Sequence, residues 1–295
     1  MNQPAPGSTF DTQWLRLRQA TDAKARDATL TRGAGRWLLR RQGGESGRVL
    51  SLVDLASGAG SNLEFLAARL PGPQRWHLID HDAGLLDEAT SRLRRLRDSD
   101  GTSIELTAHC RDLVTFDPDM LGGSDLVCAS ALFDLVSASW VERLAGACVA
   151  RKSAVLFTLS VDGDWAFYDR DTRALNDAED RWVRDQVNAH QRREKGFGEA
   201  LGKTAPQVLH DAFSRRGYHV MSAPSPWRLP PGRPETLALG SQLLEGWATA
   251  VHEQAPGQRS RADAWLANRL TSLNDGSLGL SVGHVDLFAR PREES

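Results

Sequence analysis

The stretch Val49-Leu50-Ser51-Leu52-Val53-Asp54-Leu55-Ala56-Ser57-Gly58-Ala59-Gly60-Ser61-Asn62 decides the fold. Its first half is a short apolar run rich in branched side chains, preceded by the glycine-rich Gln42–Gly47. A strand buried on both faces of a parallel sheet has this composition. In its second half, Gly58 and Gly60 permit a tight turn and close approach of backbone to a ligand. A helix starting near Ser61 would present its unpaired N–H groups to the same point. Strand, glycine loop and helix together predict a small-molecule cradle at the carboxyl end of the first strand.

Working outward, apolar strand-like runs alternate with helical patterns. Strands are expected at 48–54, 76–80, 103–108, 126–130 and 154–160, with two more at 218–222 and 280–289. Helical periodicity covers 61–70, 83–97, 139–147, 205–216, 234–254 and 261–273. Such alternation builds βαβ units and a sheet with helices on both faces. The predicted class is therefore α/β, a doubly wound, Rossmann-like, mostly parallel sheet of seven strands with N-terminal helices and helical insertions. Ahead of the sheet, 11–41 reads as two helices broken within Thr31–Gly35, because two close glycines weaken a helix. The reading divides the chain into an N-terminal helical cover (1–43), an α/β domain (44–223, with an insertion at 161–203), a helical cap (224–278) and a final strand with tail (279–295). Insertions of this size in a compact fold carry specificity or act as lids.

Composition excludes several classes. The longest apolar runs, Leu126–Phe133 and Ala154–Leu159, fall far short of the roughly 18 to 20 residues a membrane-spanning helix needs. Met1–Trp14 is polar and lacks the apolar core of a secretory signal, which places the protein in the cytoplasm on this reading. The 36 basic residues are offset by 38 acidic ones, a net charge of −2, so no global basic field attracts nucleic acid. Cys110, Cys128 and Cys148 form no C-x-x-C pair, which argues against a zinc knuckle, an iron–sulfur cluster and a disulfide framework. No metal is expected. The oligomeric state is unreadable.

Two cofactors commonly use a loop like 54–62. A dinucleotide needs a third glycine for close helix packing, and Leu63 stands there. S-adenosyl-L-methionine instead carries an ammonium group, which a carboxylate at the end of the first strand can meet, and Asp54 is so placed. The second strand ends in Asp80, about 20 residues past the glycines, where an acid can take both ribose hydroxyls. A helix N-cap is the alternative role, open equally to Asp82.

The pattern Asp54-x-Ala56-x-Gly58-x-Gly60 resembles motif I of class I S-adenosylmethionine-dependent methyltransferases, with alanine in place of the usual first glycine. Asp80-His81-Asp82, Cys110-Arg111-Asp112-Leu113 and Asp125 to Ser130 with Ala131 to Leu135 are similar to the family's later segments, in the same order. The resemblance implies that the cofactor lies against Asp54, Ala56, Ser57, Gly58, Gly60, Asn62, Asp80 and His81. It also gives the adenine to Asp112 and Leu113, sets Ser130 near the sulfonium, and makes the last strand antiparallel. Lys195-Gly196-Phe197-Gly198 and Asn188-Ala189-His190-Gln191 are similar to an uncharacterised bacterial subgroup, so the small-molecule acceptor and the choice of O- or N-methylation stay open.

An acceptor hydroxyl or ammonium must lose a proton, which a histidine or carboxylate near the cofactor can take. Three candidates emerge among the titratable groups. His284 falls near the start of the last strand and shares a face with Asp286. His190 lies in the 161–203 insertion with Asn188, Gln191 and Lys195 as polar neighbours, and Asp134 follows the fourth strand. Each has a structural alternative: a hydrogen-bonded core histidine, an exposed helix end and a helix-start acid. Trp14, Trp165 and Trp227 would line an acceptor pocket or anchor helices. Arg18 and Arg26 would reach the cofactor carboxylate from the leading helix. The rival functions are a non-catalytic scaffold of the same fold and a nicotinamide-dependent oxidoreductase.

Overall fold

The computed structural model describes residues 12–43, 47–194 and 196–292. In chain order the elements are α1 (Thr12–Ala25), α2 (Ala28–Gln42), β1 (Leu50–Leu55), α3 (Ser61–Ala67), β2 (Gln74–Asp80), α4 (Ala83–Leu93), β3 (Glu105–Cys110), β4 (Leu126–Ser130), α5 (Ala138–Arg151) and β5 (Ala154–Tyr168). They continue with α6 (Ala178–Gln191), α7 (Ala205–Ser214), β6 (Tyr218–Pro224), β7 (Trp227–Leu229), α8 (Pro234–Gln254), α9 (Arg259–Asn274) and β8 (Gly279–Pro291). One sheet runs β3-β2-β1-β4-β5-β8-β6, with β7 beside β8. The first five strands pair in parallel and β8 pairs antiparallel with β5, β6 and β7. This is the doubly wound, mostly parallel α/β fold, with eight strands instead of seven. The eighth, β7, is three residues long and sits behind Pro226, too short for alternation to mark it.

Strand period two explains the two helical layers. On β1, Val53 and Leu55 face a cluster with Trp140 and Leu144 of α5 and Leu209 and Phe213 of α7. Leu50 and Leu52 face Leu30, Ala34 and Leu38 of α2, Leu63 of α3 and Leu86 of α4. The order of β1 against β4 reverses the chain's progress across the sheet, and at such a switch point the carboxyl ends of the strands leave a crevice.

Two expectations need correction. The leading helices break at Asp27, not at Thr31–Gly35. Asp27 has extended φ/ψ and its carboxylate accepts the Leu30 N–H, which makes it an N-cap that starts a new helix. The glycines lie inside α2, where Gly33 lets the helix come so close that an added Cβ would stand 3.3 Å from Phe288.

The second correction concerns β5, which does not stop at Ser160. It continues to Tyr168 along β8 through irregularities between Phe157 and Ser160 and between Val161 and Trp165. Asp286, almost wholly buried, fixes the first: its carboxylate accepts the Leu159 N–H at 2.8 Å, the Ser225 hydroxyl at 2.6 Å and the Asp27 N–H at 2.8 Å.

The segments expected as an insertion and a cap contribute residues to one hydrophobic cluster. Trp165 and Phe167 on the overhang of β5, Trp227 on β7 and Leu280 on β8 pack with Val183 of α6, Leu244 of α8 and Trp265 of α9. Buried Asp180 joins α6 to α9 by accepting the Trp265 indole N–H at 2.8 Å and Arg269 Nε at 2.9 Å. No described helix is long and apolar enough to cross a membrane.

Candidate functional site

A cleft of about 1110 Å³ opens at the carboxyl ends of β1, β2 and β4. Its floor is the β1–α3 loop. Ala56, Gly58 and Gly60 all have positive φ, 51°, 51° and 80°. Alanine in that region stores about 1 to 3 kcal/mol of strain, which is the physical reason glycine is usual there. Gly60 serves the packing under the loop rather than the cleft wall: a Cβ would meet Leu93 Cδ1 at 2.5 Å and Ala89 Cβ at 3.2 Å on α4. Gly60→Ala is expected to cost about 2 to 4 kcal/mol, from the backbone strain and overpacking together. Urea unfolding would read it as a lower midpoint, and a change under 0.5 kcal/mol would remove the steric account.

Beneath the floor lies Asp54, wholly buried and outside the cleft lining. Its Oδ1 accepts the Asn62 side-chain N–H at 2.7 Å. Asp54 Oδ2 and Asn62 Oδ1, on this same pair, find no hydrogen-bond partner among the described residues, nor does the neighbouring Ser57 hydroxyl. Burial pushes the Asp54 carboxyl up to about 7, although Asn62 and the Arg26 charge pull it down. Two buried acceptor oxygens without partners call for a donor, a need that a cation's N–H groups can meet. Arg26, also buried, lies over the Phe65 ring at 4.7 Å and donates to Ser130 Oγ at 3.1 Å; its Nε is unpaired among the described residues.

At the end of β2, Asp80 organises the loop. One carboxylate oxygen accepts the Gly58 N–H at 2.8 Å, and the other accepts the Asp82 N–H at 3.0 Å and sits 3.3 Å from His81 Nδ1. Asp82, not Asp80, is the N-cap of α4. Asp112 and Leu113 follow β3 on the cleft wall, and Asp112 caps a short turn through Val114 N–H at 2.8 Å. Ala56, Ser57, Gly58, Asn62, Asp80, His81, Asp112, Leu113 and Ser130 thus line one cleft. Sequence reasoning missed the far wall, formed by Leu15, Gln19 and Asp22 of α1 and Leu85, Glu88 and Arg92 of α4. Helix α1 is held there by Arg16 to Glu88 at 2.8 Å and Gln19 to Glu64 at 2.6 Å. Such polar pairs leave no period in the sequence that a ligand wall could be read from.

A second, smaller cavity of about 200 Å³ adjoins the first, since Arg18 and Ala131 border both. Asp134 and His284 line it, together with Trp14, Trp165 and Trp227. His284 is buried, and its Nδ1 lies 3.0 Å from the Val282 carbonyl oxygen, so Nδ1 carries the proton and Nε2 the lone pair. Burial, with the Arg18 charge as a lesser cause, holds this imidazole down to about 3.

His190 stands apart from the other two candidates. On α6, Val187, Asn188 and Gln191 share one helical face and line the small cavity, whereas His190 is turned about 200° from Asn188. It borders neither cavity and sits 2.8 Å from Glu253 on α8 instead. Lys195 lies outside the described residues. Its neighbour Phe197 reaches the cleft wall, with its ring edge-on to Trp140 at 6.1 Å. Cys128 and Cys148 are buried and Cys110 is exposed, and no cluster of three potential metal ligands exists among the described residues.

No protein-family model and no curated protein matches the chain. Solved structures of similar shape include a cyclopropane synthase of Mycobacterium tuberculosis, at 8% identity over 98% of this chain and 90% of that one, TM-score 0.43. Another is a geranyl diphosphate C-methyltransferase of Streptomyces coelicolor in complex with S-adenosyl-L-homocysteine, at 15% identity over 87% and 76%, TM-score 0.40. A third is a phosphoethanolamine N-methyltransferase of Haemonchus contortus, also with S-adenosylhomocysteine, at 11% identity over 97% of this chain and 59% of that one, TM-score 0.41.

Proposed function

We propose that the protein is an S-adenosylmethionine-dependent methyltransferase that acts on a small-molecule acceptor by O- or N-methylation. The observation that carries the reading is the buried Asp54–Asn62 pair, whose two bare acceptor oxygens lie under the cradle formed by Gly58 and its neighbours. They suit the ammonium of the cofactor's amino-acid end. Phosphate oxygens would add acceptors to acceptors, and Leu63, wholly buried where a dinucleotide fold keeps its third glycine, also disfavours a nicotinamide cofactor.

In this reading Asp54 and Asn62 bind the ammonium, Asp80 the ribose hydroxyls, and Asp112 with the Leu113 N–H the adenine edge. Ser130 and His81 complete the walls. When bound, the sulfonium supplies an activated methyl group. What remains for the chain is alignment and exclusion of water, and holding two reactants in line can be worth roughly 7 to 11 kcal/mol. The acceptor side begins at Ala131. There His284, poor as a base once burial has depressed it, offers Nε2 as a hydrogen-bond acceptor. The proton-accepting role goes to Asp134, and none to His190.

Calorimetric titration with S-adenosylmethionine, S-adenosylhomocysteine and NAD tests the cofactor. Micromolar binding of the first two and none of NAD is the expected result. NAD binding alone would replace the reading with an oxidoreductase, and binding of none would favour a scaffold without turnover.

A further inference from the structure

The small cavity is unusual in what surrounds it. Trp165 and Trp247 stack face to face with ring centroids 4.4 Å apart and planes within 10°, a two-ring slab on the cavity's lining. Across the cavity's lining stand Trp14 and Trp227, with centroids 6.3 Å apart, and His284 lies 5.1 Å from Trp227. Four tryptophans therefore meet in a space of about 200 Å³. A cavity of roughly 150 Å³ is filled by one benzene ring, so this one takes a single substituted ring or a small fused pair.

The polar lining holds both donors and acceptors, from Arg18, Asp134, Asp164, Asn188, Gln191 and His284. Trp165 is 5% exposed, and its indole N–H is buried without a partner among the described residues, a donor lacking its acceptor. His284 has spent its donor on Val282, which leaves an acceptor. The Asn188 amide donates to the Gly163 carbonyl at 2.9 Å, and its oxygen is a further acceptor beside Gly163. Tryptophan walls, with these polar groups and the charged Arg18, Asp134 and Asp164 on the same lining, fit a planar ring that carries a hydroxyl or amine.

We propose that this cavity is the acceptor subsite and that the acceptor is a small planar aromatic or heteroaromatic molecule whose hydroxyl or amine lies between His284 and Asn188. The proposal rests on the methyltransferase reading for the word acceptor, and on the cavity alone for the class of molecule. Arg18 and Ala131, which border both cavities, mark where such a ring would adjoin the larger cleft.

The test uses three probes, phenol, indole and cyclohexanol, titrated into the full-length protein with and without saturating S-adenosylhomocysteine, and read by calorimetry and tryptophan fluorescence. Phenol and cyclohexanol have nearly the same size and one hydroxyl each, but only phenol is flat and its hydroxyl is the stronger donor. We expect phenol and indole to bind with Kd at least tenfold below that of cyclohexanol. Trp247→Leu, on the cap and away from the larger cleft, should raise the phenol Kd at least tenfold while leaving that of S-adenosylhomocysteine within twofold. Leu243→Trp, which fills the same space without removing the slab, should abolish phenol binding. Circular dichroism checks that each variant is folded, and either variant suffices.

Cyclohexanol binding as tightly as phenol would overturn the proposal. So would the absence of phenol and indole binding, or phenol binding untouched by a folded variant. If S-adenosylhomocysteine does not bind the wild-type protein, the methyltransferase reading fails, and the three probes still decide whether the cavity takes flat rings.

Discussion

Asp80→Ala is expected to weaken S-adenosylhomocysteine binding by about 5- to 150-fold, the equivalent of roughly 1 to 3 kcal/mol for leaving polar groups unpaired. The geometry puts the result toward the upper end. Besides the ribose hydroxyls it would hold, the carboxylate takes the N–H groups of Gly58 and Asp82, so its loss frees two backbone donors at the edge of the cradle. Asp80→Asn keeps one acceptor oxygen and should retain part of the affinity. Calorimetry on folded variants measures both. An Asp80→Ala protein that binds within twofold of wild type would take Asp80 out of the site.

The second large effect concerns pH. Burial raises the Asp54 carboxyl to about 7, and an ammonium bound beside it favours the charged form. Below that pH the unliganded protein holds a proton on Asp54 that binding must expel. S-adenosylhomocysteine affinity should therefore fall about tenfold per unit as pH drops from 7 toward 5, with close to one proton released on binding near pH 6. The stability of the unliganded fold carries the opposite sign. Because the folded pKa lies above the unfolded value of 3.8, the folded state binds the extra proton between them, and this group's contribution to stability is lost as pH rises through 7. Titrations in buffers of different ionisation heat read the proton count. Asp54→Asn should flatten the affinity profile and weaken binding at pH 8. A wild-type profile already flat from pH 5 to 8 would show that no cation meets Asp54.

How much of this was legible in the sequence depends on what each residue answers to. The β1–α3 loop could be read because backbone geometry leaves few residue choices: Gly58 and Gly60 sit at positive φ, Asp54 stands one residue before the end of β1, and Asp80 ends β2. Strands β1, β4 and the first half of β5 could be read because burial on both faces enforces apolar runs, whereas β3 at the sheet edge is largely exposed. The continuation of β5 could not be read. Val161-Asp162-Gly163-Asp164 is polar where the strand leaves the sheet, and only tertiary contact with α6 and α8 brings Trp165 and Phe167 back into a core. The helix break was misplaced for a related reason. Gly33 weakens α2 locally but permits its approach to Phe288, while the real boundary was signalled by Asp27, a side chain suited to capping. His190 was chosen by its position in an insertion, and helical phase, visible only once α6 was fixed, turned it toward Glu253.

The overhang of β5 and β8 has a consequence for how such a protein can change over evolutionary time. The strands that form the centre of the sheet run on, without a linker, to become the floor under α6, α8 and α9. Variation in those helices can reshape the small cavity while the β1–α3 loop and Asp80 stay as they are, because the two lie on different parts of one continuous sheet. The same continuity forbids the reverse: a lineage could remodel these helices, but deleting them would strip the exposed halves of two central strands and leave Trp165, Phe167 and Leu280 facing water. The molecule is thus open to drift in what it acts on and closed to simplification.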